Sequence, residues 1–212
     1  MNKAFFISIN YEESSCCHRE NDLIHIGAYL KSKQNFSCEY LFDKRNTTYP
    51  EVFISLLRIC RNTNEEEIGT LWIHIVGKSN ETSIITSDKL NLSYKFISNA
   101  LKKIHPNTRI IFILDTCVCN NYEDMSKYLK CKTKIGSICI NYYIQDITFL
   151  ISLGENDDNI GNLTYNLLHG IRKHETWDKL EAYLENTSSK FIMDDGNRKS
   201  DKIFVVGCHS EN

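Results

Sequence analysis

Arg109-Ile110-Ile111-Phe112-Ile113-Leu114-Asp115-Thr116-Cys117 is the stretch that decides the fold. Residues 110–114 are all apolar, which is strand length without the polar alternation of a strand that faces water on one side. A run of this kind reads as a strand covered on both faces, as in a parallel sheet sandwiched between helices. Its end is equally informative. An acid and a thiol two residues apart, Asp115 and Cys117, leave the apolar run together, as a nucleophile presented at the rim of a sheet would.

Working outward, apolar runs of strand length alternate with segments of helical period. Ala4–Ile9 is a first strand, and Leu23, Ile24, Ile26, Tyr29 and Leu30 recur at helical spacing after Asp22. Cys38–Phe42 is a short strand. Tyr49–Ile59 is a helix with Pro50 in its first turn, where proline is tolerated. Thr70–Val76 is a strand ended by Gly77, Thr82–Thr86 reads as half of a hairpin, and Ser93–Ile104 is a helix stopped by Pro106. Trp72 and Phe112 belong in the core. Downstream come apolar runs at Ile135–Tyr143 and Ile147–Leu153, helices over Gly161–Lys173 and Glu175–Leu184, and a closing strand at Lys202–Val206. The longest loops fall at Cys119–Gly136 and Asn186–Ser200. Strands alternating with helices of this length predict one α/β domain over residues 1–212: a three-layer αβα sandwich around a mostly parallel sheet.

Composition narrows the partners. The 212 residues carry 25 basic and 27 acidic side chains, a formal charge of −2, and no long run of like charge. Neither a nucleic-acid-binding face nor a polybasic membrane patch is expected. No apolar run approaches the ~18 residues of a membrane span, and the first ten residues lack the pattern of a signal peptide. Nine cysteines, an odd number without an export signal, predict reduced thiols and a cytoplasmic setting, host cytoplasm if the chain is viral. Cys16, Cys17, His18, Cys117 and Cys119 are soft ligands that two strand ends could bring together on zinc. No Cys-x-x-Cys pair occurs among them, so no metal site is expected.

In an open α/β sheet the ligand crevice lies beyond the carboxyl ends of the strands. Three such ends stand out: Tyr11–Asp22, Gly77–Asn80 and Asp115–Asn120. Lys3–Tyr11 followed by Asn21-Asp22-Leu23 is similar to the opening strand and helix start of metacaspases. Ile113-Leu114-Asp115-Thr116-Cys117 resembles their nucleophile strand, and Phe149–Asn159 with Gly161–Leu168 resembles their late strand and following helix. The ordered set spans residues 3–207. It implies the caspase-like fold of clan CD cysteine peptidases, Cys117 at the nucleophile position, and Asp22 and Asp115 lining an acidic pocket for Arg or Lys. Two carboxylates could hold a guanidinium by charge-assisted hydrogen bonds. Asp22 reads equally well as an acid favourable to a helix N-terminus.

The departures from that family carry the functional expectation. Aligned on Gly77, the position of the family's general-base histidine holds Lys78. His74 lies four residues upstream, roughly 13 Å back along a strand. A lysine, with an ordinary pKa near 10.4, shuttles protons poorly at neutral pH. Val76 replaces a pocket serine, and Ser79–Lys89 offers only Glu81 and Asp88, too few oxygens for calcium. No cofactor is expected. The resemblance therefore implies a catalytically impaired pseudopeptidase that binds a protein or peptide with basic residues, or an active metacaspase. The alternative is an active endopeptidase cutting after Arg or Lys with an atypical dyad, Cys117 with Lys78 or His18. Lys127, Lys130, Lys132 and Lys134 are the candidate self-processing cuts.

Overall fold

The computed structural model describes residues 1–11, 18–80, 82–117, 147–152, 161–187 and 191–194. Six strands form the central sheet: β1 (Asn2–Ser8), β2 (Phe36–Leu41), β3 (Thr70–Lys78), β6 (Arg109–Cys117), β7 (Ile147–Ser152) and β8 (Phe191–Asp194). Their spatial order is β2-β1-β3-β6-β7-β8, parallel throughout except β8, which runs antiparallel to β7. A small hairpin of β4 (Ser83–Ile85) and β5 (Asn91–Ser93) stands apart from it. The helices are α1 (His18–Gln34), α2 (Tyr49–Asn62), α3 (Tyr94–Leu101), α4 (Asn162–Ile171) and α5 (Trp177–Glu185). None among the described residues is long and apolar enough to cross a membrane.

Strand alternation builds two cores. Odd positions of β1 and β3 and even positions of β6, such as Phe5, Ile73 and Phe112, pack with Leu56 of α2 and Ile97 of α3. The opposite phase, including Phe6, Trp72 and Ile113, packs with Leu23 and Ile26 of α1, Leu167 of α4 and Leu180 of α5. Trp72 and Phe112 are both fully buried, as their surroundings in the sequence predict. Helices thus cover both faces of a mostly parallel sheet, which is why the central strands read as unbroken apolar runs.

Local chemistry fixes the joints. Asp88 accepts the Tyr49 amide at 3.0 Å and so caps α2, placing one of the two candidate calcium oxygens at a helix start. Ser93 caps α3 by accepting the Phe96 amide at 3.2 Å. Between α1 and β2 a single residue, Asn35, makes the turn at φ 53°, a left-handed conformation that asparagine tolerates better than most residues.

Among the boundaries that differ from the sequence reading, three stand out. β3 and β6 run on to Lys78 and Cys117, because ladder pairing continues past the apolar run into Gly77 and Thr116. Part of the expected loop at 186–200 is strand β8, where Phe191, Ile192 and Met193 give just enough apolar length for a short edge strand. The expected segments Ile135–Tyr143 and Lys202–Val206, and the lysines of the candidate processing region, lie outside the described residues.

Candidate active site at the carboxyl ends of the central strands

Parallel pairing of β3 with β6 sets Val76 opposite Asp115, Gly77 opposite Thr116 and Lys78 opposite Cys117. The backbone positions of lysine and cysteine are therefore one strand spacing apart, about 4.8 Å, at the carboxyl edge of the sheet. The side chains of Cys117 and His18, and all of Cys16, Cys17 and Cys119, lie outside the described residues.

Tyr11, just past β1, holds the lysine strand end. Its hydroxyl accepts the Lys78 amide at 2.9 Å and donates to the Ile85 carbonyl at 2.5 Å, tying the β4–β5 hairpin to the end of β3. The Lys78 ammonium stands 5.5 Å from the centre of the Tyr11 ring, within cation–π range. Gly77 makes this approach possible, since a Cβ there would crowd Ile9 and the Tyr11 hydroxyl. The next residues are locked as well: the Ser79 hydroxyl donates to that of Thr116 at 3.0 Å, and both residues are buried.

Beneath this edge lies a buried polar chain. Asp115 is fully buried, and its Oδ2 accepts both the amide and the hydroxyl of Thr164 at 2.7 Å. Thr164 is in the first turn of α4, so the carboxylate also meets the positive end of that helix. Burial pushes the Asp115 pKa up, while the Thr164 donors, the Gly161 amide and the Arg19 guanidinium pull it back. Because the Thr164 hydroxyl gives its only proton to Asp115, it can only accept from His74 Nε2, 3.0 Å away. His74 is thereby fixed as the Nε2–H tautomer, and its Nδ1 has no hydrogen-bond partner among the described residues. Burial pushes its pKa down to about 3, so this ring is neutral at physiological pH.

The predicted pocket acids are differently placed. Asp115 sits inside, whereas Asp22 is half-buried on α1 one turn after Arg19. Arg19 itself lies across Gly161, the residue that caps α4 at φ 84°. Tyr11, Thr164 and Arg19 were not singled out from the sequence. Only Arg19 carries a local signal, since a cation in the first turn of a helix is disfavoured by the helix dipole and needs another reason to be there. Among the described residues, no group of three or more His, Cys, Asp or Glu side chains converges as a metal set.

A mostly parallel sheet between two helical layers, with its polar residues gathered at the carboxyl edge of the central strands, is a caspase-like α/β fold. No protein-family model and no curated protein sequence matches the chain. Solved structures do. The protein GSU0716 from Geobacter sulfurreducens superposes with a TM-score of 0.63 at 10% identity, covering 96% of this chain and 99% of that one. Caspase-1 from Spodoptera frugiperda superposes with a TM-score of 0.56 at 8% identity, covering 86% of this chain and 74% of that one. At such identities the likeness is one of fold.

Proposed function

We propose that the chain is a metacaspase-like pseudopeptidase, acting by binding rather than by cutting. One observation carries this reading: Lys78 and Cys117 are paired residues at the ends of adjacent central strands. A cysteine peptidase needs an imidazole or its equivalent at the place Lys78 occupies, to draw the thiol proton and return it to the leaving amine. A ring face attracts an ammonium and not a free amine, so Tyr11 works against Lys78 serving as a base. His74 gives no help, because its Nε2 is engaged by Thr164 and the ring is wholly buried. Of the two acids, half-buried Asp22 is then the one that a basic segment of a partner, or of an active relative, can reach, because Asp115 is fully buried and engaged by Thr164.

Hydrolysis of fluorogenic peptides ending in Arg or Lys tests this reading. The wild type is expected to be inert, with turnover appearing in Lys78→His and vanishing in the Lys78→His/Cys117→Ala double variant. Wild-type turnover that Cys117→Ala abolishes overturns it in favour of an endopeptidase using Cys117 with Lys78 or His18.

A further inference from the structure

Strand β2 is an edge of the central sheet, and β1 is its one strand neighbour among the described residues. It keeps continuous register with β1 from Phe36 to Leu41, with no bulge to twist its outer side away. Natural sheets blunt such edges with lysine, proline, bulges or very short strands. Phe36-Ser37-Cys38-Glu39-Tyr40-Leu41 has none of these, and its single charge is already engaged: Arg58 of α2 donates to Glu39 at 2.7 Å. An edge of this kind is a template for another strand.

Both flanks of the edge add apolar surface. On the α1 side lies a groove of about 540 Å³, lined by Met1, Lys31, Phe36, Cys38 and Tyr40 among others. On the α2 side, Ile54 is one turn before Arg58, so it shares the helix face that reaches Glu39. Met1, Tyr40 and Ile54 are all exposed large apolar residues. Apolar surface gathered around an edge strand marks a place of association.

Two β2 strands related by a two-fold axis through a joined sheet run antiparallel, and each contact off the axis occurs twice. Opposed residues lie on the same face, so the pairing is centred on a residue. Two such registers pair five residues of each strand. Centring on Glu39 opposes two carboxylates, which is destabilising. Centring on Cys38 sets Phe36 against the partner's Tyr40, an aromatic pair, and Ser37 against the partner's Glu39, a hydroxyl donor on a carboxylate. The Cys38 thiol donates to the Gly27 carbonyl of its own α1 at 3.4 Å, so the central pair needs no disulfide. We propose that β2 is the interface of a two-fold dimer, paired antiparallel with β2 of a second copy in the register centred on Cys38. This goes beyond the pseudopeptidase reading: β3 is two strands in from the edge, so both Lys78–Cys117 strand ends stand clear of the joint, and antiparallel pairing points them in opposite directions.

Sedimentation equilibrium of the full chain is the test. The wild type is expected to pass from monomer to dimer as its concentration rises, with slower amide exchange in β2 accompanying the dimer. Ser37 is exposed, so substitutions there bear on pairing more than on folding. Ser37→Glu sets a like charge against Glu39 in two places and should weaken dimerisation about tenfold. Ser37→Lys sets a cation in the same two places and should dimerise at least as tightly as the wild type. A wild type that stays monomeric overturns the proposal, whether its own chain covers the edge or a different protein does. Equal weakening by the two substitutions also overturns it, since lysine then acts only as an edge block. So does a dimer that neither substitution changes, because its contact lies elsewhere. Should a variant fail to fold, the concentration dependence of β2 exchange in the wild type decides.

Discussion

On the face of the sheet covered by α2 and α3, strands β1, β3 and β6 contribute Phe5, Ile7, Ile73, Ile75, Phe112 and Leu114. On the face covered by α1 and α4, the same three strands contribute Ser8, His74 and Asp115 among their apolar neighbours, each as thoroughly buried. The first face stabilises the fold by apolar area, which is large and non-directional. The second is directional. A slip of one residue in β6 would turn Asp115 towards the α2 and α3 layer and leave the Thr164 donors without an acceptor. Both faces bury apolar area, and the second adds a directional polar chain that specifies register and the position of α4.

That contrast can be broken from either side. Phe112→Ala, on the apolar face, is expected to cost about 3–5 kcal/mol, read as a shift of the denaturant midpoint. Asp115→Ala removes fewer atoms but strands the Thr164 amide and hydroxyl, and should cost about 2–4 kcal/mol. The two should differ in kind: Asp115→Ala should raise amide exchange chiefly at the start of α4, whereas Phe112→Ala should loosen the sheet as a whole. Equal exchange patterns would mean that the polar face has no separate role.

Acid sharpens the comparison further. The buried His74 holds its pKa near 3, against an ordinary value of 6.5. Between those values the unfolded chain takes up a proton that the folded chain refuses. The contribution of His74 is thus whole above about pH 6.5 and is lost on acidification at about 1.4 kcal/mol per pH unit. Asp115 has the opposite sign. Its pKa is raised by burial, so its contribution is whole at low pH and is lost as pH rises through the folded-state value. Unfolding free energies of wild type and His74→Gln should therefore converge as pH falls from 6.5 towards 4. A constant gap across that range would rule out the neutral buried ring. The smallest effect is expected at Tyr11→Phe, which loses the hydroxyl shared by the Lys78 amide and the Ile85 carbonyl, at about 1 kcal/mol.

The layers were legible because burial on both sides leaves unbroken apolar runs, as at Ile110–Leu114, and Trp72 and Phe112 lie where those runs predict. The strand ends were less so. Polarity marks where the helical cover stops and not where backbone pairing stops, so β3 and β6 outlast their apolar runs by two or three residues. This extension sets Lys78 and Cys117 as ladder partners rather than as residues of two loops. The polar chain left almost no trace in the sequence. His74 and Thr164 are 90 positions apart, and only the packing of α4 against β3 and β6 brings them together. A histidine inside an apolar strand announces that it needs a partner, without saying which.

The joint at Asn35 has a mechanical consequence. Helix α1 is 17 residues long, about 25 Å at 1.5 Å per residue, and its far end is welded to β2 through that single left-handed residue. Arg19 rides at the opposite tip. Such a rod has little slack at its base, so a tilt of its first turn is carried as by a lever to β2, the outermost parallel strand, whereas Arg19 alone can move by rotating its own side-chain bonds.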